Sequence, residues 1–122
     1  MKLSQHFDSS EFICKCGCGE SKTTPELIAL LESIRTALGN RAIAVTPKGG
    51  YRCPIQNAKS GGADRSQHLK GNAADIQVAG LNARQVQTRL RDLHRSGKLF
   101  IGGMGSYKTF THVDARKVVT RW

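Results

Sequence analysis

The chain has 122 residues, 39% of them hydrophobic and 6% aromatic; the length favours one domain and the composition excludes intrinsic disorder. No apolar run approaches the roughly 18 residues of a membrane-spanning helix, and Met1 to Ser10 lack the apolar segment of a secretory signal peptide. Lysine and arginine outnumber acids 19 to 9, and the net charge of +10 directs the protein toward polyanions, whether nucleic acid, anionic lipid or a cell wall, without choosing among them.

The first feature along the chain is Cys14-Lys15-Cys16-Gly17-Cys18, with the fourth cysteine far away at Cys53. A chain of this size buries roughly two-thirds of its unfolded surface and needs no disulfide staples. Zinc ribbons use C-x-x-C pairs, because two intervening residues let both sulfurs reach one ion; C-x-C-x-C is a poorer match. Three states stay open: a second, structural zinc at Cys14, Cys16, Cys18 and Cys53, a disulfide to Cys53, or free thiols.

Thr24 is a good helix N-cap and Pro25 suits the first helical position. Leu27, Leu30, Leu31, Ile34 and Leu38 then recur at spacings of three and four, an apolar stripe that reads as core, and Gly39-Asn40 stops the helix. Ala42 to Thr46 is a short strand-like run, broken by Pro47-Lys48-Gly49-Gly50. Tyr51-Arg52-Cys53 leads into a short helix over Pro54 to Ser60, ended by Gly61-Gly62. Gly61 to Asn72 reads as a long polar loop, and long loops in compact domains are often functional.

Ala73 to Val78 alternates as a strand, with Ala74, Ile76 and Val78 on one face and Ala73, Asp75 and Gln77 on the other. Asn82 caps a second helix that buries Val86, Leu90 and Leu93 and stops at Gly97. Phe100 to Ser106 and Thr109 to Ala115 read as two strands joined near Tyr107-Lys108; in the second, Phe110, His112 and Asp114 share a face. The expected fold is a single α+β domain spanning residues 1–122, with a small, mostly antiparallel sheet flanked by helices. Residues 1–22 form a cysteine-containing N-terminal segment packed on it.

Four histidines are present. His94 lies on a basic helix and reads as a surface residue, and His6 carries no strong reading. His68 and His112 each sit in a polar segment near an aspartate. A catalytic zinc takes three protein ligands, imidazole nitrogen and carboxylate oxygen among them, and keeps a fourth position for water. His68 on a loop, a turn at Gly71, Asp75 on a strand and His112 on a neighbouring strand could supply that set. The same residues could equally make an ordinary His–Asp hydrogen bond.

Ser66-Gln67-His68-Leu69-Lys70-Gly71-Asn72-Ala73-Ala74-Asp75 fits the pattern S-x-H-x-x-G-x-A-x-D at every fixed position. Thr111-His112-Val113-Asp114 fits a downstream H-x-D motif, and Gly50-Tyr51-Arg52 resembles an earlier S-G-Y-R segment. In these three motifs, in this order, the chain resembles the zinc peptidases of the D-Ala-D-Ala carboxypeptidase and L-Ala-D-Glu endopeptidase family. That family shares its fold with the zinc domain of Sonic hedgehog. Small phage and prophage members with a similar cysteine-rich start and a terminal Arg121-Trp122 look most alike.

The resemblance implies that His68, Asp75 and His112 hold one catalytic zinc and that a metal-activated water hydrolyses an amide next to a D-amino acid in peptidoglycan stem peptides or cross-links. It implies Arg52 as the cation for the developing oxyanion or the substrate carboxylate, and Ser66 as a substrate-side or loop-bonding residue. Members of that family often carry an acid three residues before the last ligand histidine, and Thr109 stands there. Asp114 is then the expected general base, or the group that orients a ligand imidazole; Asp64 is a weaker base. A missing serine before Gly50-Tyr51-Arg52 bears on how substrate binds beside Arg52.

The expected partner is bacterial peptidoglycan, with no specific nucleic acid, no membrane insertion and a monomeric state. The expected role is a phage lysis enzyme held in the cytoplasm until holin-type release, or carried in a virion. An inactive zinc-containing wall-binding module and a basic nucleic-acid binder are the alternatives. Few aromatics and no aromatic–basic interleaving argue against the second. Endo- or exo-action and the bond cleaved stay open.

Overall fold

A computed structural model describes residues 1–59, 61 and 66–122. Among these residues three helices, α1 (Pro25–Ala37), α2 (Pro54–Lys59) and α3 (Ala83–Arg95), accompany five strands: β1 (Ile43–Val45), β2 (Ala73–Val78), β3 (Gly103–Ser106), β4 (Thr111–Asp114) and β5 (Thr120–Arg121). Single 3-10 turns form at Ser9–Phe12 and Gln67–Lys70. The sheet order is β1-β2-β4-β3-β5, antiparallel except for the parallel pair β3–β5. The fold is the expected small α+β domain.

The helix ends follow local chemistry. Thr24 Oγ1 accepts from Leu27 N at 3.1 Å with Pro25 at the first helical position, and Asn82 forms a reciprocal capping box with Gln85; such caps contribute about 1 kcal/mol each. Leu27, Leu31 and Ile34 of α1 are fully buried, as are Val86 and Leu90 of α3. They join Ala74, Ile76 and Val78 of β2, Met104 of β3 and Val113 of β4 in one core. Fully burying an aliphatic side chain of this kind contributes roughly 1.5–3 kcal/mol. Phe7 and Phe12 complete that core from the N-terminal segment, and the His6 Nδ1 contact with Glu32 at 2.7 Å fastens the segment to α1.

Because strand side chains alternate, the residues between these core positions, Asp75 on β2 and His112 and Asp114 on β4 among them, point to the other face of the sheet. Asp75 lies directly across from His112 on β4, and on β3 Gly105 faces His112 while Gly103 faces Asp114. One sheet face is therefore core and the other carries ionisable groups.

Three elements differ from the sequence expectation. The strand expected from Phe100 begins only at Gly103, and Phe100 is exposed. The polar loop contains the 3-10 turn Gln67–Lys70, ended by Gly71 in the left-handed region at φ 68. Strand β5 is two residues long, too short for any periodicity, and exists through its pairing with β3. Of the expected helix over Pro54 to Ser60, Ser60 lies outside the described residues, as do Gly62 and Asp64.

Candidate active site

The site is built from a turn and two strands. Ser66 Oγ accepts from His68 N at 3.2 Å and caps the 3-10 turn that carries His68. The left-handed Gly71 closes the turn. A Cβ on Gly71 would approach the Lys22 carbonyl oxygen to 2.5 Å, so both the backbone angle and the space call for glycine. The Gly71 carbonyl accepts from Thr24 N, and Thr24 Oγ1 donates to Asn72 Oδ1 at 2.7 Å, which joins the turn to the start of α1. Two residues later β2 begins and delivers Asp75 beside His112.

His68, Asp75 and His112 are all buried, and one ligand atom from each lies within 4.8 Å of the others. Asp75 Oδ1 is 3.3 Å from His68 Nε2 and 3.1 Å from His112 Nδ1. The remaining nitrogen of each ring is tethered. His68 Nδ1 donates to the Gly50 carbonyl at 2.9 Å, and His112 Nε2 donates to Asp114 Oδ2 at 2.7 Å. Tethers of this kind set the tautomer and aim the other nitrogen at a metal. Two imidazole nitrogens and one carboxylate oxygen converging on a point match the three-ligand set of an open zinc site. The residues therefore fit the ion that the sequence motif implies.

Electrostatics follow the same contacts. Burial alone would raise the Asp75 carboxyl, but hydrogen bonds from His112 and His68 outweigh it and hold it at about 2. Burial also opposes ionisation of Asp114, yet His112 and Arg116 keep it well below the usual carboxylate range. Burial pushes the His112 imidazole down, while Asp114 and Asp75 together push it up, and the net shift is upward.

Among the described residues, each one singled out in the sequence has a definite place. Arg52 reaches the rim of the cluster: its Nη2 lies 3.4 Å from Asp75 Oδ2, its Nε donates to the Lys48 carbonyl and its backbone N–H to the His68 carbonyl. Asp114 is fully buried and contacts the His112 nitrogen that faces away from Asp75. Ser66 lies next to the cluster in its capping role. His6 bonds Glu32, and His94 Nδ1 accepts from Ile101 N, so neither belongs to the site. Asp64 lies outside the described residues.

Three contributors carried no role in the sequence reading. Arg116 clamps Asp114 with Nε and Nη2, both at 2.8 Å; the signal was an arginine two residues past the H-x-D motif. Gly103 leaves the space that the Asp114 carboxylate fills, since a Cβ there would collide with it. Trp122 packs on the His112 ring with centroids 4.8 Å apart, lies 5.3 Å from the Arg116 guanidinium carbon and donates from Nε1 to Tyr107 Oη. No local pattern places a terminal tryptophan over a histidine ten residues earlier; only the β3–β5 pairing does.

Comparisons with known proteins place the chain in a family. Over 106 residues the chain is 34% identical to the probable peptidoglycan L,D-endopeptidase MepK of Haemophilus influenzae, an alignment covering 81% of this chain and 54% of that protein. The chain thus spans about half the length of the curated relative it matches. Residues 5–114, which include both motif histidines and Asp75, match the family model described as Peptidase M15. The chain belongs to the peptidase M15 family.

Proposed function

We propose that this chain is a zinc-dependent peptidoglycan peptidase that hydrolyses an amide bond next to a D-amino acid in a stem peptide or cross-link. The observation that carries the reading is the convergence of His68 Nε2, Asp75 Oδ1 and His112 Nδ1, with both outward ring nitrogens tethered. A zinc ion held there supplies an acidified water and a polarised scissile carbonyl.

The protein's own groups do the rest. The Gly50 carbonyl and Asp114 hold the two imidazoles in register. Arg52, at the rim beside Asp75, holds a substrate carboxylate or the negative oxygen that develops at the carbonyl. Trp122 covers one side of His112 and keeps water from it. Asp114 takes the orienting role rather than the base role, because its carboxylate is spent on His112 Nε2 and on Arg116. The net charge of +10 suits an anionic wall.

The test is digestion of purified sacculi by zinc-loaded protein, with products identified by mass spectrometry. Release of peptides that stops with chelator and returns with zinc is the expected result; cleavage indifferent to chelator would refute the metal reading. The masses also decide between endo- and exo-action. The resemblance to small phage proteins extends the proposal to lysis, for which turbidity should fall when the protein meets outer-membrane-stripped Gram-negative cells.

A second reading, an inactive zinc-containing module that recognises wall peptide, is favoured by one observation. Both carboxylates touching the imidazoles, Asp75 and Asp114, are already engaged, and Thr109 stands where members of the resembled family often carry an acid. Zinc and wall binding without any released peptide would select it.

A further inference from the structure

The four cysteines form a second cluster. Cys14, Cys16, Cys18 and Cys53 each place a sulfur within 4.8 Å of the other three. Cys14 Sγ is 3.5 Å from Cys16 Sγ, and Cys16 Sγ is 3.4 Å from Cys53 Sγ. These separations exceed the S–S bond of about 2.05 Å, and all four thiols are free. They approach the edge of a tetrahedron of sulfurs around one zinc, which is about 3.8 Å for a Zn–S distance near 2.3 Å. A disulfide needs two sulfurs to meet. A common centre accounts for four meeting at once.

The local chain explains how the tight C-x-C-x-C spacing serves. In a strand, alternate residues share a face but lie about 6.8 Å apart, so Cys14 and Cys18 would be far too distant. Gly17 and Gly19 instead take left-handed angles, φ 92 and 73, and curl the segment so that its sulfurs face inward. The base of the curl is closed by Cys14 N donating to the Glu20 carbonyl at 2.8 Å and by the Ile13–Ser21 bridge. Cys53 N–H points at Cys14 Sγ at 3.4 Å, the kind of outer contact that supports a thiolate ligand. Cys14 and Cys53 are buried and Cys16 and Cys18 exposed, which gives an ion a path in from solvent.

We propose that these cysteines bind a structural zinc ion, and that this ion braces one wall of the candidate active site. Four thiolates close the coordination shell, so the ion has no open position for chemistry. Its effect is mechanical. Cys53 follows Gly50-Tyr51-Arg52 directly, and this segment supplies the carbonyl that orients His68 and the guanidinium beside Asp75. Tyr51 N donates to the Phe12 carbonyl at 3.1 Å, just ahead of the cysteine curl. An ion joining Cys53 to Cys14, Cys16 and Cys18 therefore locks the N-terminal segment to the strip that positions His68 and Arg52. The metal site itself rests on the cysteines alone and does not depend on the peptidase proposal.

The test counts metal in protein purified anaerobically with reductant and zinc, then desalted. Wild-type protein is expected to retain about two zinc ions per chain, one at each cluster. A Cys16→Ser/Cys18→Ser variant, altered only at exposed positions, should lose one of them. A His68→Ala/His112→Ala variant should lose the other, keep the cysteine-bound ion, and show a thiolate-to-cobalt charge-transfer band when reconstituted with cobalt. In the cysteine variant with wild-type histidines, amide hydrogen exchange of residues 50–53 should rise.

The proposal is overturned if the histidine variant binds no zinc and gives no thiolate–cobalt band. It is equally overturned if all four thiols react with a thiol reagent at rates zinc does not change, or if a disulfide is found in the reduced preparation. Unchanged exchange in residues 50–53 would remove the bracing role. None of these readouts requires peptide cleavage, so failure of the peptidase reading would be seen separately.

Discussion

Asp114→Asn tests the division of labour around His112. Asp114 accepts from His112 Nε2 at 2.7 Å and from Arg116 N, Nε and Nη2 at 3.2, 2.8 and 2.8 Å, with no exposed surface. An asparagine has the same shape but only one accepting oxygen, so its amide N–H must face a donor on one side. Arg116 is 28% exposed and can turn to water, whereas His112 is 8% exposed and cannot. The amide oxygen therefore stays on His112, which exchanges a charge-assisted hydrogen bond of about 1.5–3 kcal/mol for a weaker neutral one; disturbing the outer partner of a metal-ligating histidine lowers metal affinity by up to about 10–100-fold. That corresponds to roughly 1.4–2.8 kcal/mol.

Zinc titration against a chromophoric chelator should register this loss, and wall-peptide hydrolysis should recover to within a few-fold of wild type once zinc is saturating. If Asp114 is instead the general base, zinc affinity stays near wild type. Hydrolysis then stays down by about 10²–10⁴-fold at any zinc concentration. The second pattern would refute the orienting role.

Gly103→Ala should collide with the Asp114 carboxylate, which His112 and Arg116 hold in place, and lower stability by about 1–3 kcal/mol in chemical denaturation; wild-type stability would mean that carboxylate can move. Gly71→Ala forces a side chain into the left-handed region against Lys22, costing at least about 1–2 kcal/mol. It should weaken zinc binding as well, because the same turn carries His68; weakened folding with intact zinc affinity would separate the two. In metal-free protein, the Asp75 carboxyl at about 2 lies below its ordinary 3.8. The stability it contributes, roughly 2 kcal/mol, is present above the unfolded value and lost as pH falls through about 2. His112 is shifted up, so its contribution is complete below the ordinary imidazole value of about 6.5 and lost as pH rises through its folded value. Denaturation in chelator should therefore find greatest stability in the mildly acidic range, and a flat profile from pH 2 to neutrality would contradict these contacts.

Much of this protein is legible in one dimension wherever a structural requirement is local. Thr24-Pro25 and Asn82 start helices because their side chains cap donors a few residues away, and the stripe from Leu27 to Leu38 predicts its own buried face. The alternation in Ala73 to Val78 put Asp75 opposite the core residues, and the ten-residue pattern from Ser66 to Asp75 named two members of the cluster. Other features depend on partners far along the chain. Whether Asp114 faces the cluster or the outer nitrogen of His112 is decided by the ring's orientation between Asp75 and Arg116. The placement of Trp122 follows from a two-residue strand that exists only against β3. Four cysteines, three in a tight run and one at residue 53, are compatible in sequence with a disulfide, an ion or free thiols; left-handed glycines and the backbone contact between Phe12 and Tyr51 draw their sulfurs together. Short-range hydrogen bonding and side-chain periodicity are written into neighbouring residues. The direction in which a buried carboxylate or thiol points is set by the sum of long-range packing, which only the folded chain computes.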